Sequence, residues 1–148
     1  MHPKDRLQED LKAAMKAGDT ARRDALRMLT SAIKQEEVDG QKTLTEEQVV
    51  ALLMREIKKR RDTVEEAERL GRPETVAQGQ FEISLIEAYL PQQMSRAELE
   101  AEAKQAIAEI GASSAKDMGN VMKVLMPRVK GRADGKLINE VVKSLLGG

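Results

Sequence analysis

The charged side chains that could bind an anion gather between Lys116 and Lys136, in a chain with no net charge. Six Lys or Arg residues stand against two Asp residues in this stretch. From Lys116 onward the chain carries a net charge of +4, so residues 1–115 carry −4. Such an asymmetry is typical of a chain that presents a docking surface to an anionic partner.

Two ladders of apolar residues flank the basic stretch and predict two helices. Their i, i+3, i+4 spacing is that of amphipathic helices, and their members are Met118, Val121, Met122, Leu125 and Val129, then Leu137, Ile138, Val141, Val142 and Leu145. We expect Met118 and Met122 in the core and Met126 off the apolar stripe. The residues from Lys130 to Lys136 form a glycine-hinged corner, in which Gly131 can take a left-handed backbone and Asp134 can cap the second helix.

Charge alone leaves two interpretations of this corner. The positive end of the second helix could attract phosphate, helped by Arg128, Lys130, Arg132 and Lys136, although Asp134 could occupy that helix end itself. The alternative is an ordinary helix–turn–helix corner with solvated lysines, which is favoured on charge alone because exposed charge is the default. A P-loop is excluded, because only three residues separate Gly131 from Gly135 and leucine follows Lys136.

The sequence contains no set of residues typical of catalysis. It has no cysteine, and its one histidine is His2, so it offers no thiol nucleophile, no histidine triad and no histidine metal cluster. Ser113 or Ser114 could pair with Lys116, but a serine before a helix is typical of a cap. We therefore expect no catalytic residue, no cofactor and no metal.

The rest of the chain predicts an all-α fold of seven helices. Helix-forming residues dominate, and no stretch alternates apolar and polar residues as a strand would. Residues 1–91 are expected to form an N-terminal antiparallel lobe of about four helices, and residues 92–148 a small three-helix lobe. Gly79 should weaken the fourth helix slightly. The basic run from Lys58 to Arg61 has acidic neighbours at i, i+4 spacing, which favours paired surface charge.

The N-terminus is polar by the third residue, and no apolar run approaches the roughly 20 residues of a membrane span. These two features predict a cytoplasmic protein that does not enter a membrane.

Several motifs resemble the C-terminal signature of the GatB/YqeY family. They are Gly111-Ala112-Ser113-Ser114, Asp117-Met118-Gly119, Val121-Met122 and the run MPRVKGRADG that ends at Gly135, with Arg27-Met28 and Tyr89-Leu90-Pro91 further upstream. The similarity to stand-alone YqeY proteins covers nearly the whole chain. The family includes the C-terminal tail of the GatB component of glutamine-dependent aspartyl/glutamyl-tRNA amidotransferase, a carbon–nitrogen ligase.

The resemblance implies that the chain engages tRNA or an aminoacyl-tRNA-handling complex, because that tail engages tRNA while amidation occurs elsewhere in the enzyme. The implied nucleic-acid-binding residues are Lys123, Arg128, Lys130, Arg132 and Lys136. The implied backbone positions, for close packing or positive φ, are Gly119, Gly131 and Gly135. Phosphate contacts are expected rather than base reading, because the corner has no aromatic platform. The alternative is a helical protein–protein adaptor that binds a protein partner.

Overall fold

The computed structural model describes residues 1–147 and confirms the all-α prediction, with no strand among the described residues. Within residues 1–147, seven α-helices follow one another, with a short 3₁₀ helix at Ala115–Asp117 before the sixth. Their bounds are α1 Pro3–Ala17, α2 Thr20–Gly40, α3 Glu46–Arg69, α4 Pro73–Glu87, α5 Arg96–Ile110, α6 Met118–Val129 and α7 Gly135–Leu145.

Several helices begin or end where local signals predict. Pro3 and Pro73 occupy the first turns of α1 and α4, where a missing N–H costs nothing. Thr45 and Gln48 form a reciprocal capping box at the start of α3, with distances of 3.2 and 2.9 Å. Gly18 ends α1 in the left-handed conformation at φ 69°, which glycine adopts without a steric penalty.

The chain divides into two compact units, Met1–Leu90 and the part from Pro91 onward. The N-terminal unit contains α1 to α4 around an aliphatic core that includes Leu7, Leu26, Ile33 and Leu53. The C-terminal unit contains α5 to α7 around a second core, whose members include Leu99, Val121, Leu125, Val129, Ile138 and Val142. Burial of these side chains, at about 1.5–3 kcal/mol each, is the main stabilising contribution in both units.

Gly79 has a different role from the one expected, because it lies buried where α4 meets α3. A Cβ atom at this position would lie 2.3 Å from Cγ2 of Val64, far inside van der Waals contact. Gly79 therefore has a packing role that its helix propensity does not predict. The missing side chain is what allows the two helices to approach.

The basic run on α3 is paired, as its acidic neighbours predict. Arg60 contacts Glu56 at 2.8 Å and Glu82 of α4 at 3.0 Å, and all three side chains are largely buried. Arg61 lies 3.4 Å from Glu87, and Lys59 lies 3.7 Å from Glu56. Most of the charge of this run is therefore compensated within the N-terminal unit.

Candidate nucleic-acid interface of the C-terminal unit

The backbone between α6 and α7 forms the predicted corner. α6 ends at Val129 with Lys130 as its C-cap, Gly131 follows at φ 77°, and the N–H of Arg132 donates to the carbonyl of Val129 at 2.9 Å. The left-handed conformation predicted for Gly131 is confirmed. Asp134 stands at the N-cap of α7, but its side chain makes no cap hydrogen bond, so the expected carboxylate cap is wrong.

The segment just before α5 holds the corner in place. The side-chain amide of Gln93 donates to the carbonyl of Gly131 at 2.8 Å and to that of Pro91 at 2.9 Å. The N–H of Met94 donates to the carbonyl of Arg132 at 2.8 Å. The sequence predicted a boundary between the lobes at residues 91 and 92 but did not predict this role. The one local signal was a side-chain amide two residues after Pro91, which alone does not identify its partner.

Arg128 is engaged by α5 rather than left open for a ligand. Its guanidinium donates to the carboxylate of Glu109 at 2.5 Å, with about a third of the Arg128 side chain exposed. This hydrogen bond lowers the pKa of the Glu109 carboxyl and raises the pKa of the Arg128 guanidinium above its already high value. The negative charge of Glu102 also acts on Arg128. The pair with Glu109 cancels most of the positive charge that Arg128 was expected to supply.

Arg132 is used in a second internal contact. Its Nε donates to the carbonyl of Gln92 at 3.0 Å, and its side chain is only partly exposed. The neutral carbonyl leaves the charge of Arg132 in place, but the hydrogen bond fixes where that charge lies.

The three lysines of the predicted site are exposed. Lys123 and Lys136 make no ion pair or side-chain hydrogen bond within residues 1–147. Lys130 follows Lys123 by seven positions, so at about 100° per residue the two fall on nearly the same side of α6. Arg128 follows Lys123 by five positions and lies about 140° away around the helix axis. The five predicted residues therefore do not all face one direction.

Two of the three glycines in the implied motif lack the expected role. Gly119 and Gly135 do not have positive φ, and a Cβ atom at either would meet nothing within 4 Å. Neither internal packing nor backbone conformation requires glycine there. The methionines also differ in one respect: Met118 and Met122 pack against the core as expected, but Met126 does so as well.

Within residues 1–147, no three or more His, Cys, Asp or Glu side chains are placed to hold a metal ion. None of the helices there combines the length and the apolar character that crossing a bilayer requires.

The fold and the corner define an all-α protein of two helical units, the second of which carries a basic helix–turn–helix. The chain belongs to the YqeY family, because the model of that family, described as Yqey-like protein, matches residues 4–146. The resemblance stated from the sequence motifs is thereby confirmed.

Two curated relatives are fungal proteins named altered inheritance of mitochondria protein 41, mitochondrial. The protein of Lachancea thermotolerans is 38% identical over 99 residues, which cover 66% of this chain and 53% of the relative. That of Eremothecium gossypii is 32% identical over 85 residues, covering 57% and 46%. The alignments therefore span about half the length of these relatives.

These names contradict the prediction of a cytoplasmic protein, since both relatives are named as mitochondrial. The prediction rested on a polar N-terminus and on the lack of a long apolar run. Those features indicate only whether a secretory signal or a membrane-spanning helix is present. They do not distinguish the cytoplasm from other aqueous compartments.

Proposed function

We propose that this protein is a tRNA-associated accessory module, which binds the RNA backbone through its C-terminal unit and leaves the chemistry to another protein. The observation that carries the proposal is the exposed, uncompensated charge of Lys123 and Lys136 in a segment of net charge +4. The family resemblance to the tRNA-engaging tail of a tRNA amidotransferase supports the same function.

The contacts in this proposal are with phosphate and not with bases. The only aromatic side chains of the chain are Phe81 and Tyr89, and both precede the C-terminal unit. That unit therefore offers no ring on which an unpaired base could stack. Lysine ammonium groups act on phosphate as point charges, so binding is weak at physiological salt and strengthens as salt is lowered.

The five predicted residues have three separate roles in this proposal. Lys123, Lys130 and Lys136 meet the phosphates directly. Arg132, fixed by its hydrogen bond to Gln92, contributes charge at a defined position in the corner. Arg128 is paired with Glu109. It contacts the RNA only when a phosphate displaces that carboxylate.

The test is fluorescence anisotropy with labelled tRNA at low salt. The site variant is Lys123→Glu/Lys136→Glu, and the matched control is Lys42→Glu/Lys58→Glu, which reverses two exposed lysines of the N-terminal unit. The proposal expects the site variant to lose binding and the control to bind almost as the wild type does. Equal losses in both variants, or a wild type that does not bind tRNA, would remove the proposal.

A further inference from the structure

An open groove runs along the N-terminal unit between α1 and α2. We call it the α1–α2 groove; it has a volume of about 730 Å³ and is lined from Lys4 to Met15 on α1 and from Thr30 to Glu37 on α2. All of its lining residues belong to these two helices. The helices are antiparallel, because Lys4 near the start of α1 contacts Glu37 near the end of α2, while Met15 contacts Arg27.

The length of the groove suits a helical occupant. The eleven steps from Lys4 to Met15 correspond to about 16 Å of helix, or about three turns. The lining positions on α1 recur three or four residues apart and so form one continuous face of that helix. A pair of packed helices with such a groove between them is the surface into which the ridge of a third helix packs.

The groove has an apolar floor that is only partly covered. Ile33 is buried, Leu11 is half-buried, and Met15 has 53% of its surface exposed. Methionine is flexible and polarisable, and it is common on surfaces that adapt to a partner's apolar side chains. The phosphates of a nucleic acid gain nothing from such a floor, whereas the apolar stripe of an amphipathic helix does.

The charges on the rim specify the partner further. Lys12 and Lys34 are exposed and make no ion pair within residues 1–147. The one carboxylate in the groove, Glu37, is already taken, because it pairs with Lys4 at 2.7 Å and accepts the N–H of Leu44 at 2.8 Å. The rim therefore presents two uncompensated positive charges, on a unit that otherwise carries more acidic than basic residues.

The geometry points to a docking site for an acidic amphipathic helix of a protein partner. The partner's apolar stripe lies on Leu11 and Met15, and its carboxylates meet Lys12 and Lys34 at the rim. The site belongs to the N-terminal unit, whereas the proposed tRNA contacts belong to the C-terminal unit. It goes beyond the proposed function because it does not depend on RNA binding.

The test is a selection from displayed peptides against the full-length protein. The library fixes leucine along one face of a helix of about 14 residues, roughly four turns, and randomises the flanking positions. The same library is selected against the charge-reversed variant Lys12→Glu/Lys34→Glu. Circular dichroism verifies that each variant is folded. We expect both variants to fold, because the replaced side chains are exposed.

The proposal expects Asp and Glu to be enriched beside the stripe with the wild type, and Lys and Arg with the reversed variant. A selected acidic peptide should bind Met15→Glu at least about tenfold more weakly, a loss of about 1.4 kcal/mol, and should perturb amide resonances of α1 and α2. Three results would overturn the proposal: no binders, no acidic preference, or tRNA displacing the peptide from the groove, which would assign the groove to nucleic acid.

Discussion

The guanidinium of Arg128 donates to the carboxylate of Glu109 across the α5–α6 contact at 2.5 Å. This pair divides the basic corner into a compensated arginine and lysines that face solvent. Charge counted along the sequence treats Arg128 as the equal of Lys123 and Lys136, but the folded unit does not. An anion that approaches the corner meets Arg128 only in competition with Glu109.

Removal of Glu109 should therefore strengthen tRNA binding. In Glu109→Gln the guanidinium of Arg128 loses its ionic partner, so one more cation becomes free to contact phosphate. The slope of log binding constant against log salt should steepen by about 1. Binding isotherms at several salt concentrations measure this slope.

The matched change in that experiment is Arg128→Gln, which should alter the slope of the wild type only slightly. A Glu109→Gln variant that binds no better than the wild type would show that Arg128 lies outside the interface.

Substitution of Gly79 by alanine should destabilise the N-terminal unit although alanine is the better helix former. Helix propensity alone predicts a gain of about 1 kcal/mol. The new Cβ atom would instead lie 2.3 Å from Cγ2 of Val64, and overpacking of this kind costs about 1–3 kcal/mol. Urea unfolding of Gly79→Ala should therefore give a lower midpoint than the wild type.

Gly119→Ala is the control, because a Cβ atom at that exposed position on α6 meets nothing within 4 Å. It should leave stability unchanged or raise it by up to about 1 kcal/mol. A double-mutant cycle with Val64→Ala should show a favourable coupling with Gly79→Ala. Independent, additive effects would mean that the two residues do not meet.

Tyr89 should titrate far above the ordinary range of a tyrosine. Burial, together with the hydrogen bond that the hydroxyl donates to the Asp10 carboxylate, raises its pKa to about 12. Because the folded pKa exceeds the unfolded value of about 10, the stability that Tyr89 contributes is present below pH 10 and is lost as the pH rises towards 12. Tyr89 is the only tyrosine, so ultraviolet absorbance reports it directly.

The Asp10→Ala variant separates the effect of burial on the pKa of Tyr89 from that of the hydrogen bond to Asp10. Its Tyr89 midpoint should fall but stay above 10, because burial is the larger cause. A midpoint near 10 in the folded wild type would contradict the buried position. Tyr89→Phe should cost about 1.5–3 kcal/mol, as expected for a hydrogen bond to a charged group.

Gln93 should affect the corner without itself meeting the RNA. In Gln93→Ala the carbonyl of Gly131 loses its donor, so amide hydrogen exchange from Lys130 to Asp134 should become faster. Binding to tRNA should weaken by a few-fold while its salt slope stays the same, because the number of cations is unchanged. Weaker binding without faster exchange would instead place Gln93 in the interface.

The sequence predicted the elements well, because helix signals are local. The Thr45–Gln48 box spans four residues, and Gly18 and Pro73 act on the turns next to them. The contact of Gly79 with Val64 joins positions 15 apart, on two helices whose separation no local pattern states. For the same reason Arg60 with Glu56, four residues apart, could be predicted, but Arg60 with Glu82 could not.

The candidate site likewise has local features that the sequence predicts and contacts between helices that it does not predict. Its residue types and the turn at Gly131 follow from the chain itself. The pairing of Arg128 with Glu109 and of Gln93 with Gly131 depends on how α5 and the segment before it lie against the corner. The division into lobes of residues 1–91 and 92–148 stays a prediction. Separate expression of each part tests it.

The salt dependence of tRNA binding tests the central claim most directly, because it counts the phosphates that the protein neutralises. The measurement compares the wild type with Lys123→Gln/Lys136→Gln. The proposal predicts that the slope of log binding constant against log salt becomes shallower by about 2 in the variant. An unchanged slope, or wild-type binding that does not depend on salt, would contradict the assignment of this corner to the RNA backbone.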